Sequence, residues 1–180
     1  MKAGVRILFL GDSLTEYFDW QDRFPAQTVT NAGVSGETVQ GLLRRLYAIV
    51  SNFEEPDFIF LMTGINNVAM EDYGIIESYA QAVLALQRYF SKAEIVVQSL
   101  LPVILSWVEN REIVRLNSAL KEMATARHLT YLDVHRNFMD ATGRAKASCL
   151  LDDGVHLSTE GYRVWSARVE EFLRSRGVLT

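Results

Sequence analysis

Short, nearly unbroken apolar runs alternate along this chain with longer segments whose apolar residues recur at helical spacing. Residues 5–10 end at Gly11, residues 28–32 lead into Gly33, and residues 58–62 follow the turn Glu54-Glu55-Pro56. Residues 95–101 are closed by Pro102, and residues 131–134 form the last run. Runs of this length, apolar on both faces, predict strands buried within a parallel sheet. Between them, Val39, Leu42, Leu43, Leu46, Ile49 and Val50 mark one amphipathic helix, and Ile76, Tyr79, Val83, Leu86 and Phe90 a second. Ile113, Leu116, Leu120 and Met123 mark a third, and Tyr162, Trp165, Val169 and Phe172 a last. Each set forms one stripe down a helix that needs a sheet to cover it.

Five strands alternating with helices predict an α/β fold, a three-layer α/β/α sandwich whose central sheet is parallel and helix-covered on both faces. The commonest order for such a five-stranded sheet is 2-1-3-4-5, with ligands bound beyond the carboxyl ends of the strands where the order reverses. In that order, residues following strands 1, 2 and 3 emerge beside one another. A residue following strand 5 must return across three strand spacings, roughly 14–15 Å, and the largely non-periodic stretch 136–152 is long enough to do so. With 180 residues, 49% of them hydrophobic, the chain suits one well-filled core, and residues 1–180 are expected to form a single domain.

The formal net charge is -4 and no cationic run exceeds Arg44-Arg45, so the footprint of a nucleic-acid binder is missing. Cys149 is the only cysteine, which excludes an intramolecular disulfide. Lys2 precedes an apolar run that is too short for a signal sequence, and no stretch approaches the roughly 18 apolar residues of a membrane span. A cytoplasmic protein without membrane insertion is expected. The three histidines lack metal-ligand spacing, so neither a metal nor a cofactor is expected.

Four short segments follow the strands and carry chemistry: Gly11-Asp12-Ser13-Leu14, Asn31-Ala32-Gly33-Val34-Ser35-Gly36, Gly64-Ile65-Asn66-Asn67 and Asp153-Gly154-Val155-His156. A serine alone is a poor nucleophile and needs a base whose other ring nitrogen is held by an acceptor. His156 supplies the base for Ser13, and Asp153, three residues earlier, the acceptor that fixes its tautomer. The backbone amides of Ser13 and Gly36 and the Asn66 side chain then supply donors for a developing oxyanion.

These ordered blocks resemble those of the SGNH (GDSL) hydrolase superfamily, and the resemblance runs from the first strand through the last helix. It implies a flavodoxin-like fold, Ser13 as nucleophile, Gly36 and Asn66 as oxyanion donors, His156 as base and Asp153 as its orienter. Asn67 departs from the aspartate that many members carry, and asparagine occurs there in members resembling the platelet-activating-factor acetylhydrolase catalytic subunits. The segment around Ser13 lacks the closing glycine of the G-x-S-x-G elbow, which sets it apart from ordinary α/β-hydrolases.

Each of these residues has a plainer reading as a cap or turn residue, but that account requires four coincidences. Ser158 is expected to cap the last helix, His128 to lie in the last turn of the third, and His135 to sit near the end of strand 5, away from Ser13. Asp12 is expected to order the nucleophile loop, and Cys149 to be structural. Tyr17, Phe18, Trp20 and Trp107 stand either as an apolar wall of the site or as core or dimer contacts. The expected activity is hydrolysis of a small-molecule ester, with short acyl chains such as acetyl, by a monomer or homodimer. Transfer of the acyl group to an alcohol or sugar is the alternative within the same site, and an FMN-binding flavodoxin-like module the alternative outside it.

Overall fold

The computed structural model describes residues 4–179, so Lys2 lies outside the described residues. Strands β1 (Arg6–Gly11), β2 (Thr28–Gly33), β3 (Phe58–Met62), β4 (Glu94–Gln98) and β5 (Thr130–Leu132) form one parallel sheet in the order β2-β1-β3-β4-β5. The helices are α1 (Ser13–Glu16), α2 (Trp20–Arg23), α3 (Val39–Asn52), α4 (Ile65–Ala69), α5 (Ile76–Tyr89), α6 (Asn110–Ala126) and α7 (Thr159–Ser175). This is the expected α/β architecture and strand order. All five residues of central β3 are buried, as a strand covered on both faces requires.

Helices α3, α5 and α6 pack in sequence along one face. The opposite face is aromatic. Trp20 stacks on Phe9 at 3.9 Å between ring centroids, Phe9 stacks on Phe60, and Phe172 of α7 meets Phe60 edge-on. Trp165 meets Trp20 edge-on and donates its indole N–H to Gln98 Oε1 at 2.8 Å, so its single polar atom is satisfied inside the core. Trp20 is therefore a core residue and not a wall of the site, and Phe18 is half-buried between Trp20 and Tyr162.

Two strands end earlier than their apolar runs suggest, because side chains capture the backbone at the rim. Asn117 of α6 accepts from the Leu100 amide at 2.7 Å and donates to the Leu100 carbonyl at 2.9 Å, which replaces a sheet partner. The amides of Val134 and His135 both donate to Ser99 Oγ, which turns the chain out of β5 after Leu132. His128 lies beyond α6 and not in its last turn. It has a positive φ of 56°, with the His128 amide bonded to Thr125 and the Leu129 amide to Ala124, the hydrogen-bond pattern of a Schellman stop. Ser158 caps α7 by accepting from the Gly161 amide, as expected.

The register of the central strands sets the rim of the site. Gly11 lies level with Gly33 of β2 and with Met62 of β3, so Ser13, Gly36 and Asn66 start from one line across the sheet. Gly33 has no room for a side chain. A Cβ there would stand 2.4 Å from the Glu16 amide nitrogen and 2.9 Å from the Asp12 carbonyl oxygen. Helix α1, which begins with Ser13, rests directly on this glycine.

Among the described residues no helix is long and apolar enough to cross a membrane. Gly33→Ala is expected to push α1 off β2, at a cost of about 1–3 kcal/mol. Urea denaturation followed by circular dichroism measures that loss, and turnover of p-nitrophenyl acetate in the folded fraction should fall with it.

Candidate active site

Asp12 and Ser13 mark the change from strand to helix. Asp12 is the N-cap of α1: its carboxylate accepts from the Leu14 amide at 3.1 Å, and its carbonyl accepts from Thr15 and Glu16. This is the ordering role expected of it. Ser13, the first helical residue, is 4% exposed, and its hydroxyl has one protein partner, His156 Nε2, at 3.0 Å.

His156 arrives on a tight loop. Leu150 and Leu157 form an antiparallel bridge, the Leu151 amide donates to the His156 carbonyl, and the Gly154 amide donates to the Leu151 carbonyl. Within this loop Asp153 Oδ1 accepts from the Val155 and His156 amides, both at 2.9 Å, while Oδ2 lies 2.6 Å from His156 Nδ1. One carboxylate thus fixes both the backbone and the ring of the histidine. Desolvation pushes the Asp153 carboxyl up, but the two amides and the imidazole outweigh it and hold it below the usual carboxylate range. Asp153 is consequently ionised at neutral pH, as an orienting group must be.

The stretch 136–152 that crosses the sheet is better ordered than its lack of periodicity suggests. It contains two short 3-10 helices, His135–Phe138 and Ala147–Cys149, and an antiparallel bridge from Met139 to Ala145. Phe138 and Cys149 are buried and anchor it. Gly161 of α7 sits so close to the Cys149 carbonyl that a Cβ would meet the oxygen at 2.1 Å. Cys149 is thus structural, and His135 lies away from Ser13 in the first of these turns.

On the other side of Ser13, the turn after β2 is tied to α1. The Ser35 amide donates to the Glu16 carboxylate at 2.7 Å, the Ser35 hydroxyl also contacts that carboxylate, and the Glu37 amide closes the turn on the Val34 carbonyl. Gly36 occupies the turn with φ of 72° and open space around its Cα, a conformation that favours glycine. Neither its amide nor that of Ser13 donates to a protein acceptor among the described residues. Asn66, near the start of α4, donates one amide N–H to the Glu37 carbonyl at 2.9 Å, which leaves the second N–H for another acceptor. The structure therefore brings Ser13, Asp153 and His156 into one hydrogen-bonded chain, and it links Asn66 directly to the turn that carries Gly36.

Asn67 accounts for its own departure from the family pattern. Its Oδ1 accepts from the Val39 amide at 3.0 Å, and its Nδ2 donates to Gln40 Oε1 and to Asp72 Oδ2 at 2.9 and 2.8 Å. The bond from Asn67, followed by the Gly74 amide, holds the Asp72 carboxyl below the usual range. The carboxylate of this local network resides at position 72, so position 67 must supply donors. Glu16, Asn31 and Asp72 are site-building residues that spacing alone does not reveal. Asn31 gives its side-chain N–H groups to the carbonyls of Thr15, Glu16 and Phe18, and accepts from the Gly33 amide. A polar side chain inside an apolar run was the available signal for Asn31.

Two exposed aromatic residues stand beside this constellation. Tyr17 stacks on the His156 ring at 5.5 Å between centroids, and Trp107 donates its indole N–H to the Ala69 carbonyl at the end of α4. They are 59% and 55% exposed, respectively.

Asn67→Asp should remove both donors and face Asp72 with a second carboxylate, a loss of about 1–3 kcal/mol. Adding Asp72→Asn should restore most of it, and a double-mutant cycle by urea denaturation reads the coupling. Asp12 gives a pH signature. Burial, opposed by the amides of Leu14, Gly64 and Asp12 itself, pushes its carboxyl up to about 7. A carboxyl raised on folding stabilises the protein below its unfolded value, and the contribution disappears as pH rises through about 7. Asp12→Asn keeps the capping oxygen and removes the titration, so the stability difference between wild type and variant should shift in the variant's favour from pH 5 to pH 8. An unchanged difference across that window would show that Asp12 does not titrate there.

Residues 9–164 match the model of the GDSL-like lipase/acylhydrolase family. Among solved structures, a Streptococcus pneumonia protein provisionally called a platelet activating factor is 28% identical, with a TM-score of 0.85 over 94% of this chain and 84% of that one. A GDSL-like lipase from Bacteroides thetaiotaomicron is 23% identical, with a TM-score of 0.75 over 95% and 88%. An acetylxylan esterase from Geobacillus stearothermophilus is 20% identical, with a TM-score of 0.76 over 100% and 99%. No curated protein matches the chain. With the match running from within the first strand to the first turns of the last helix, the chain belongs to the GDSL-like lipase/acylhydrolase family and is a carboxylic ester hydrolase.

Proposed function

We propose that this hydrolase works through a covalent acyl-Ser13 intermediate and prefers short acyl groups such as acetyl. The observation that carries the reading is the chain of contacts from Ser13 Oγ to His156 Nε2 and from His156 Nδ1 to Asp153 Oδ2. His156 accepts the Ser13 proton as Oγ attacks the ester carbonyl, and Asp153 steadies the imidazolium that forms. The carbonyl oxygen, now negative, is received by the amides of Ser13 and Gly36 and by the spare N–H of Asn66. Each such donor is worth on the order of 10² to 10³ in turnover. Collapse of the tetrahedral intermediate expels the alcohol, which takes its proton from His156. Water then enters by the same route in reverse, giving up a proton to His156 and releasing the acid from Ser13.

The roles of base and orienter follow from geometry that needs no rearrangement. The preference for short acyl groups rests on the exposure of the two rings beside Ser13 and His156. Tyr17 and Trp107 flank an open site, and a long chain gains little burial against two exposed rings. The neighbouring acetylxylan esterase agrees with this reading. Hydrolysis rather than acyl transfer is favoured because the His156 side chain is 32% exposed, so water reaches the base directly. The family match leaves no role for an FMN-binding module.

A fluorophosphonate probe followed by peptide mass spectrometry is expected to label Ser13 alone, and Ser13→Ala is expected to abolish both labelling and turnover of p-nitrophenyl acetate without unfolding. Asp153→Asn should lower kcat by up to about 10⁴, less to the extent that water replaces the lost carboxylate. Adduct formation at another residue, or wild-type rates in His156→Ala, would overturn the mechanism.

A further inference from the structure

At the β5 edge of the sheet, three strands from β1, lies a groove of about 390 Å³ that the esterase reaction does not use. Strand β5 forms its floor, since the sheet ends there. Val114, Ser118 and Lys121 line it from α6 at spacings of four and three, which places them on one helix face. Tyr131, Asp133, His135 and Arg136 line it from β5 and the turn that follows, and Arg168 reaches it from α7. Three cations thus meet in one concavity of a chain whose formal net charge is -4.

Those cations are poorly matched within the protein. The side chains of Lys121 and Arg136 make no ion pair or hydrogen bond among the described residues. Arg168, 19% exposed, pairs through Nη1 with Glu171, whose side chain is 70% exposed, and solvent around the carboxylate weakens the pair. Its Nε is buried with no acceptor, and His135 Nε2 is likewise buried and unpartnered. Unsatisfied buried donors are uncommon, and a turn of the Arg168 guanidinium toward an oxyanion would satisfy Nε while giving up only a weak pair. The one carboxylate in the groove, Asp133, already accepts from the Arg136 amide at 3.2 Å.

We propose that this groove is a binding site for a small phosphate monoester, with Lys121, Arg136 and Arg168 holding the phosphate and the Tyr131 ring and Val114 flanking its organic part. Arginine forks and a lysine ammonium are the donors that phosphate oxygens prefer. The cavity exceeds the size of inorganic phosphate alone, which calls for an organic substituent. The acidic net charge disfavours a polyanion at the same place. Through the 3-10 helix His135–Phe138, the groove adjoins the start of the crossing segment that ends at Asp153 and His156, but the proposal concerns binding and is independent of the Ser13 mechanism.

Isothermal titration with inorganic phosphate and with phenyl phosphate tests it. Both are expected to bind saturably at one site, phenyl phosphate more tightly. Lys121→Gln with Arg136→Gln should weaken both by about tenfold or more, the effect of losing charge-assisted hydrogen bonds. Both residues are exposed, so the melting temperature and the turnover of p-nitrophenyl acetate should stay at wild-type values, which separates a lost site from a lost fold. Arg168→Gln should weaken binding independently. No saturable binding up to tens of millimolar overturns the proposal, and so does binding that the double substitution leaves unchanged. Equal affinity for phenyl phosphate and inorganic phosphate would remove the role given to Tyr131 and Val114.

Discussion

The 3.0 Å contact between Ser13 Oγ and His156 Nε2 joins residues 143 positions apart, and the rest of the molecule is arranged so that this contact can form. A parallel sheet delivers the ends of all its strands to one edge, but it leaves the last strand three spacings from the first. The crossing segment closes that gap, and its ordering entropy must be offset by packing. Phe138, Cys149 and Leu150 provide the burial, and the close approach of Gly161 to Cys149 locks the segment onto α7. The Leu150–Leu157 bridge then fixes the loop that carries Asp153 and His156. Rigid support of this kind places His156 Nε2 within hydrogen-bond reach of Ser13 Oγ, the geometry that the proposed proton transfer requires.

The sheet and its order were legible because the signal there is strong: continuous apolar runs have few alternatives to a doubly covered parallel strand. The constellation was legible because Ser13, Gly36 and Asn66 each follow a strand by two to four residues, so topology alone brings them together. What escaped the pattern was polar. The ends of β4 and β5 are set by Asn117 and Ser99, whose side chains reach across from other elements to take backbone groups. No periodicity encodes such contacts. Helices α1 and α2, four residues each, are too short to show a stripe. His128 was misplaced for a related reason: a helix can stop in a left-handed residue that is not glycine, and hydrophobic spacing does not see the stop. The same holds for Asp72, whose pairing with Asn67 can be recognised only once α4 and its following loop are folded.

The two sides of Ser13 are satisfied to different degrees. Around Asn67 the network is closed, with Val39, Gln40 and Asp72 all engaged. Behind Ser13 it is not. Among the described residues, Thr15 Oγ1 and Thr63 Oγ1 are buried without hydrogen-bond partners, and each such atom costs stability. Gly11 is pressed between the Met62 carbonyl and the Thr15 hydroxyl, where a Cβ would stand 2.2 Å from either, so no bulkier residue can enter to relieve the deficit. A buried carboxyl held near neutrality next to the nucleophile is an expensive way to cap a helix of four residues. It makes sense if the position of Ser13 matters more than the stability of the segment, since Asp12 fixes the Leu14, Thr15 and Glu16 amides at once. Local instability concentrated at a functional site is the usual pattern for such strain.

Openness is the remaining constraint on what the site can do. Acyl transfer to an alcohol competes with hydrolysis only when water is kept from the acyl-enzyme or when the acceptor is bound strongly enough to outcompete it. Here the base is a third exposed, Tyr17 stacks on it from the solvent side, and the Asp153 side chain is 49% exposed. Nothing in that arrangement excludes water from His156. An acceptor would therefore have to rely on specific contacts, and several groups near Ser13 are already committed: Glu16 to Ser35, and Asn67 to Asp72 and Gln40. The two exposed rings, Tyr17 and Trp107, offer no charged contact. Discrimination among esters must then come mainly from the carbonyl-centred geometry, which every small ester shares. The proposed preference for short acyl groups and breadth towards the alcohol both rest on this exposure.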